Sequence, residues 1–300
     1  MAGTNLIHLT YDGNFQLETE ATVVTCRVIN SRSGTSTDNP HCDGAGKDPN
    51  NVPMELELDA TTMHPQGGGQ PTDIGTIVPL STNYDAEGAS PLYSATIDKV
   101  TIDRATGIVT HAGSVTLKTD NIARSEQNFF PPNSKVYVSV NQQNRRLLSE
   151  CHTAGHVVDA AMAKCEKLLP PTKGYHFMDG PYVEYRGSID VKEREQFLEK
   201  LKVAYQELIE QDIPTQIQML PAKEAENLCN RLAQNFNMSD FTSPSDPDPK
   251  VRVVTVAGWY CPCGGTHVRS TGELKERGWS VKGLRCKKGV VRVRYGPKDD

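Results

Sequence analysis

Cys151-His152-Thr153-Ala154-Gly155-His156 and Cys263-Gly264-Gly265-Thr266-His267 are the two stretches that decide the fold of this sequence. In the first, two histidines stand four residues apart, a spacing that places both imidazoles on one face of a helix. In the second, two glycines allow a tight loop that turns a thiol and an imidazole inward. Three imidazoles and one thiolate form a ligand set suited to zinc. We therefore predict one Zn²⁺ per chain, held by His152, His156, Cys263 and His267.

Neither stretch is specific by itself. A lone His-x-x-x-His usually has no metal, and Thr153 stands where a zincin metalloprotease needs its general-base glutamate. Cys261-Pro262-Cys263 offers a second thiolate, so a site with two cysteine ligands is an alternative. The other cysteines that lack a metal-ligand spacing are interpreted as small apolar residues: Cys26, Cys42, Cys165, Cys229 and Cys286.

Composition indicates a globular protein of about two domains. The 300 residues are 37% hydrophobic, and eight cysteines are too few for a disulfide scaffold. No apolar run is long enough for a transmembrane helix, and the N-terminal residues do not have the pattern of a secretory signal. We therefore expect a cytoplasmic protein with no membrane partner.

Charge is unevenly distributed along the chain. The formal net charge of −5 counts against a generic nucleic-acid binder, and no DNA partner is expected. From residue 251 to 297, however, ten Lys and Arg residues stand against only Glu273 and Glu276. Such a segment can bind phosphate even in an acidic chain, or it can be a solvated strand surface. Charge alone leaves both interpretations open.

The pattern of apolar residues divides the chain into two parts. Residues 1–143 are predicted to form a small β-barrel-like domain of short strands, with a polar insertion loop at 31–51. Residues 144–300 contain predicted helices at 145–167, 192–211 and 221–234 among strands. The fold class is therefore α+β, with the helices of the second domain packed against an antiparallel sheet.

A glycine-rich segment lies in the first part. Gly67-Gly68-Gly69 lacks both the ending of a P-loop and the spacing of a dinucleotide fingerprint. Three glycines permit positive φ angles and a close approach of the backbone. The segment is therefore either a tight hairpin or a surface that passes near an RNA backbone or an active site.

Together these motifs resemble the editing domain of alanyl-tRNA synthetase and the free-standing alanyl-tRNA editing proteins of the AlaX type. His152–His156 with Cys263–His267 carry the resemblance, and His64–Asp73 is similar to the glycine-rich motif of longer members, which have an extra N-terminal barrel. The segment Tyr175–Tyr185 is also similar to these editors. Gly155 departs from the family pattern; it costs a helix about 1 kcal/mol relative to alanine, and we expect it to leave room near the metal.

This resemblance implies a hydrolase that acts in trans, without ATP, on tRNA(Ala) that carries a wrong amino acid. The expected substrate is serine and, for longer members, glycine. The zinc either activates a water molecule or positions the substrate. Two other classes stay open: a structural zinc module that binds RNA without hydrolysis, and a non-catalytic partner of a synthetase.

Site residues follow from the same resemblance. Thr153 matches a position near the substrate, so we predict that it contacts the serine hydroxyl; helix packing is the alternative. We assign substrate or tRNA binding to Gly67, Gly68, Gly69, Gln70 and Asp73, and tRNA phosphate binding to Lys287, Lys288 and Arg292, with Lys282 beside them.

Overall fold

The computed structural model describes residues 3–29, 51–80, 93–117, 129–242 and 247–298. The predicted insertion at 31–51, apart from Asn51, and residues 243–246 of a predicted turn lie outside these ranges. The chain forms two compact units. The first comprises Met1–Ile7, Gln16–Gln66 and Thr72–Gln142, and the second comprises His8–Phe15, Gly67–Pro71 and Gln143–Asp300.

A closed antiparallel barrel forms the first unit. The strands of this unit are β1 (Asn5–Leu6), β2 (Glu18–Val28), β3 (Asn51–Leu58), β4 (Ala60–Thr61), β5 (Gly75–Pro79), β6 (Tyr93–Ile102), β7 (Val109–Leu117) and β8 (Lys135–Val140). The barrel order is β2-β3-β7-β6-β5-β8, and the two short strands β1 and β4 pair in parallel. The strands alternate between inward and outward residues, as in β3, where Met54, Leu56 and Leu58 are fully buried. The predicted N-terminal barrel is confirmed.

Helices and antiparallel strands form the second unit. The helices are α1 (Tyr11–Phe15), α2 (Gln142–Lys164), α3 (Arg194–Glu210) and α4 (Ala222–Cys229). The strands are β9 (Pro171–Tyr175), β10 (Tyr182–Arg186), β11 (Gln216–Pro221), β12 (Lys250–Val256), β13 (Trp259–Pro262), β14 (Ser280–Lys287) and β15 (Val290–Gly296). They make one sheet in the order β14-β15-β10-β9 and another in the order β11-β12-β13. The predicted α+β class is confirmed.

The three predicted helices are present, but each of their six predicted bounds differs from the structure by one to five residues. α2 begins three residues before the predicted position, and α4 ends at Cys229 although the apolar pattern continues to residue 234. The Asn230 side chain stops α4, because its amide accepts a hydrogen bond from Phe236 N at 2.9 Å and donates one to Phe236 O at 2.8 Å. Among the described residues no helix is long and apolar enough to cross a membrane.

β6 and β7 of the barrel make a close backbone contact at Gly113. Their register shifts between Ile97 and Lys99, and Gly113 of β7 pairs with Ile97. A Cβ atom at Gly113 would overlap the Thr96 carbonyl oxygen. The two backbones therefore approach more closely than a side chain allows.

We expect Gly113→Ala to lower the free energy of unfolding by about 1–3 kcal/mol, because the methyl group must push the two strands apart. Gly283→Ala is the matched control in a strand, since its added methyl group would lie 3.5 Å from Arg294 Nη2, an ordinary contact. The control should stay within about 0.5 kcal/mol of the wild type. Chemical denaturation measures both, and equal stabilities of the two variants would contradict the proposed overlap.

Candidate metal centre

Helix α2 and the loop after β13 bring the four predicted metal ligands together. His152 and His156 lie in the middle of α2, where the residues from Leu148 to Met162 are all buried. Cys263 directly follows β13, and His267 ends the short loop behind it. The ligand atoms of these four residues all lie within 4.8 Å of one another. The cluster can therefore hold a metal ion.

Each of the three histidines uses its Nδ1 atom for a protein contact. His152 Nδ1 lies 2.7 Å from Gln70 Oε1, and His156 Nδ1 lies 3.1 Å from Asp159 Oδ2. Amide and carboxylate oxygens only accept hydrogen bonds, so these two contacts place the proton on Nδ1 and leave the lone pair on Nε2.

The Nε2 atoms turn towards Cys263. Cys263 Sγ lies 3.4 Å from His152 Nε2 and 3.4 Å from His267 Nε2. Among the described residues, His156 Nε2 is a buried atom without a hydrogen-bond partner. A buried polar atom is normally satisfied, and a metal ion in this cluster would satisfy it. This donor set therefore fits a bound metal.

Charge near Cys263 favours the thiolate. Burial raises the pKa of the thiol, but Arg252 and, when its ring is protonated, His156 outweigh burial and hold the pKa below its usual value. The Arg252 side chain is buried and donates to the Leu9 carbonyl oxygen at 2.8 Å. A thiolate is the form of cysteine that binds metal.

Cys261 does not belong to the ligand group. Its Sγ atom lies 3.6 Å from the Pro262 carbonyl oxygen, and burial raises its thiol pKa well above the usual value. Of the two thiols in the Cys-Pro-Cys stretch, the structure thus places that of Cys263 among the imidazoles.

Gln70 connects the glycine-rich segment to this cluster. Its Oε1 atom accepts from Thr266 N at 3.0 Å as well as contacting His152, and its Nε2 atom donates to Thr266 Oγ1 at 2.9 Å. Gly67 and Gln70 also pair through their backbones. The Gln70 side chain is fully buried, and its contact with Nδ1 orients the His152 ring. Its assignment to substrate binding stays a prediction.

The other members of this motif have separate positions. Gly69 has a φ of +82°, and a Cβ atom there would overlap the Gly174 carbonyl oxygen. Gly68 is exposed and has a φ of +57°. Asp73, in the first unit, is buried and accepts a hydrogen bond from His64 N at 2.6 Å. The motif thus contains a glycine, Gly69, at which two backbones approach closely, and an aspartate, Asp73, that accepts a hydrogen bond within a turn.

Thr153 is fully buried beside His267. Its Oγ1 atom lies 3.2 Å from His267 Nδ1 and accepts from Val268 N at 3.2 Å. Thr153 therefore orients the third imidazole as Gln70 and Asp159 orient the other two. Its predicted contact with a substrate hydroxyl remains a prediction.

His176 is a neighbour of the cluster that sequence reasoning missed. Its ring stacks on His152 with centroids 4.1 Å apart, and its Nδ1 atom lies 2.6 Å from the Tyr295 hydroxyl oxygen. Burial, together with the nearby His156, lowers its pKa to about 3, so the ring stays neutral. The room expected beside Gly155 is filled, because a Cβ atom there would lie 2.6 Å from His176 Cε1 and 2.8 Å from the Tyr295 hydroxyl oxygen.

Asn14 and Asp159 were also missed. The Asn14 side chain bonds both backbone groups of His267, accepting from its N at 3.0 Å and donating to its O at 2.8 Å. Asp159 accepts from the Tyr185 hydroxyl at 2.6 Å in addition to contacting His156. Asp159 lies three residues after His156 on α2, so helical spacing could have identified it. No local signal connects Asn14 to His267.

A cavity of about 340 Å³ opens on the cluster. Its lining includes His152, His156, Cys263 and Asp159 together with apolar side chains. The apolar residues are Val183, Phe236, Phe241 and Trp259. Thr153 is not part of this lining.

The predicted phosphate-binding residues lie at a second cavity. Lys287, Lys288 and Arg292 line a depression of about 270 Å³ on the sheet that contains β14 and β15. Both lysines are exposed, whereas Arg292 forms an ion pair with Glu184 at 2.8 Å. Lys282 of β14 is also exposed.

Comparison with known proteins places these residues in context. Residues 251–294, which include Cys263 and His267, match the family described as the threonyl and alanyl tRNA synthetase second additional domain. The alanyl-tRNA editing protein AlaX-M of Methanosarcina barkeri is 29% identical over 222 residues, which are 73% of this chain and 79% of that protein. The chain resembles AlaX-M proteins. The AlaX-M protein of Methanosarcina acetivorans is similarly related, at 28% identity over 73% of this chain and 79% of that protein.

The resemblance to AlaX-type editors seen in the motifs is thereby confirmed. The alanine–tRNA ligase of Methanosphaera stadtmanae is 27% identical over 261 residues, which are 82% of this chain but only 24% of that enzyme. The chain is therefore similar to a limited part of the ligase and to most of the length of AlaX-M.

The two glycines between Cys263 and His267 provide a matched test of the cluster. A Cβ atom at Gly265 would overlap His152 Nδ1 and lie 2.6 Å from Gln70 Oε1, whereas one at Gly264 meets nothing within 4 Å. Gly265→Ala should therefore lower metal affinity by about 10–100-fold, the usual effect of disturbing groups that orient ligands. Gly264→Ala should bind metal as the wild type does.

Competition with a chelator measures both affinities, and thermal denaturation checks that both variants fold. Equal metal affinity of folded Gly265→Ala and Gly264→Ala would show that contact between the loop and His152 is not needed for binding.

Proposed function

We propose that the protein is a zinc-dependent hydrolase that removes wrongly attached serine from tRNA(Ala) in the cytoplasm. The observation that carries the proposal is the cluster of three histidines and Cys263 at the wall of a cavity. Similarity to AlaX-M proteins supplies the substrate class. The match to 79% of the length of an AlaX-M protein supports action in trans on released aminoacyl-tRNA.

Distances in the cluster support zinc as the metal. Zinc–nitrogen and zinc–sulfur bonds of about 2.0 and 2.3 Å at a tetrahedral angle separate the two ligand atoms by about 3.5 Å. The two measured separations between Nε2 and Cys263 Sγ are 3.4 Å. When bound, the zinc would supply Lewis acidity for the hydrolysis of an ester.

Access to the cluster favours hydrolysis over a purely structural role. Catalytic zinc sites keep a position open to substrate, so one of the four residues would have to be displaced or not bound directly, or the zinc would have to accept a fifth ligand. His152, His156 and Cys263 all line the cavity, so an ester can reach the cluster from that side. Asp159 and Gln70 would hold two imidazoles in the orientation and tautomer that metal binding needs.

Selectivity for serine over alanine would come from a polar contact. A site that hydrogen-bonds a substrate hydroxyl rejects the analogue without it, because a buried polar group is then left unpaired. We retain Thr153 as the candidate residue for this contact. Its hydroxyl already contacts His267, so it would reach the substrate through a shared or exchanged hydrogen bond. Glycine offers no group to bind and would be accepted by size.

We expect the protein to hydrolyse Ser-tRNA(Ala) and to spare Ala-tRNA(Ala). Cys263→Ala should lower the rate by more than about 100-fold, because loss of a ligand removes several kcal/mol of stabilisation. Cys261→Ala is the matched control and should keep both zinc and activity. Time courses with Ser-, Gly- and Ala-tRNA(Ala), with and without chelator, test the substrates, and metal analysis tests one zinc per chain.

Other outcomes would favour other functions. Zinc-loaded protein that binds tRNA and hydrolyses none of the three substrates would be a binding module or a synthetase partner. Equal hydrolysis of Ser- and Ala-tRNA(Ala) would contradict the proposed editing function. Loss of zinc from Cys261→Ala but not from Cys263→Ala would show that Cys261, and not Cys263, supplies the thiolate ligand.

Lys287 and Lys288 are proposed to contact tRNA phosphates. Phosphate contacts release counterions, so each one steepens the fall of affinity with salt. The double variant Lys287→Glu and Lys288→Glu should weaken binding of tRNA and reduce the slope of log affinity against log salt by about 2. The control is Lys192→Glu with Lys200→Glu, which changes the net charge equally at two other exposed positions. Equal slopes in both variants would contradict the assignment.

A further inference from the structure

Four planar groups form a continuous stack on the outer face of the sheet β14-β15-β10-β9. The rings of Phe177 and Tyr175 are 4.7 Å apart at 16°, and those of Tyr175 and Tyr182 are 5.2 Å apart at 19°. The Arg292 guanidinium lies over the Tyr182 ring at 4.0 Å. We call these four residues the aromatic stack. Its three rings are all half-buried, so they are partly open to solvent.

A row of charged residues crosses the same face beside the stack. Strand register pairs Lys173 with Glu184, Glu184 with Arg292, and Arg292 with Arg285. The row thus contains three cations and one carboxylate, and Glu184 is already paired with Arg292. Lys173 also reaches the stack, with Nζ 5.9 Å from the centroids of the Tyr175 and Tyr182 rings. Asp179 adds a second carboxylate, which accepts from the Tyr175 hydroxyl at 3.0 Å, so three cations still exceed two carboxylates beside the rings.

The aromatic stack directly adjoins the metal centre. Side chains of an extended segment alternate between its two sides. His176 points inward and stacks on His152, whereas its neighbours Tyr175 and Phe177 belong to the outer stack. Lys173 also lines the cavity that opens on the cluster. A ligand bound to the stack would therefore contact the residues on either side of His176, whose ring packs against the cluster.

We propose that the aromatic stack and the adjoining cations bind the single-stranded 3′ end of tRNA, with a nucleobase stacked on the Phe177 end and phosphates on Lys173 and Arg285. The inference rests on the proposed function and adds the surface that delivers the ester to the cavity. Unpaired bases expose the π-faces that aromatic side chains bind, and cations beside the rings contact the backbone. Duplex RNA hides these faces, so the paired acceptor stem does not fit the stack.

Phe177 is the best position for a test, because it ends the stack and has a ring contact only with Tyr175 among the described residues. Phe177→Ala should weaken binding of uncharged tRNA(Ala) by about tenfold or more, the usual effect of removing one ring that stacks on a base. Binding of tRNA(Ala) that lacks its three terminal nucleotides should be the same for the variant and the wild type. Phe177→Tyr is the matched control and should bind both RNAs as the wild type does.

Filter binding measures the six affinities of the wild type and the two variants for the two RNAs, and thermal denaturation with metal analysis confirms that the variants are folded and loaded. The stack does not bind the 3′ end if Phe177→Ala weakens the binding of intact and truncated tRNA equally, or if it weakens the binding of neither RNA. That result leaves the proposed function intact when the wild type still deacylates Ser-tRNA(Ala). Absence of deacylation by the wild type contradicts the function itself, whatever the stack binds.

Discussion

The contact between Gln70 Oε1 and His152 Nδ1 is the interaction on which the metal centre depends. An amide oxygen that also accepts from the Thr266 backbone cannot rotate away, so it fixes both the tautomer and the plane of the imidazole. Asp159 acts in the same way on His156, whereas the Thr153 hydroxyl, which can donate or accept, holds only the orientation of the His267 ring. The site is thus prepared by hydrogen bonds on the far sides of its ligands. Because these partners are buried, water does not compete with them.

Close packing sets the second constraint. Glycines at 69, 155 and 265 stand where a methyl group would overlap Gly174, His176 or His152. The absence of a side chain at these glycines therefore allows the glycine-rich segment, α2 and the loop after β13 to pack in close contact with these neighbours. The energetic disadvantage of Gly155 in a helix, about 1 kcal/mol, is offset by the ring stacking and hydrogen bonding of the His176 side chain that it admits.

Local patterns in the sequence were sufficient for the ligands, the barrel and the fold class. Helical spacing aligned His152 with His156, and strand alternation in β3 separated Met54 and Leu56 from the glutamates between them. Long-range contacts could not be found in this way. Asn14 lies 253 residues from His267, and no local pattern couples them. The end of α4 was misplaced for a related reason, because a side-chain contact from Asn230 to Phe236 overrides the apolar periodicity.

Three residues that lie far apart in the sequence, Gly155, His176 and Tyr295, meet in one small volume. His176 and Tyr295 occupy it together and are joined by a hydrogen bond of 2.6 Å. A larger residue in place of Gly155 therefore requires the ring at the position of His176 and the hydroxyl at the position of Tyr295 to shift or to be replaced. These three positions should change in concert during evolution, as one unit of the site rather than as separate residues.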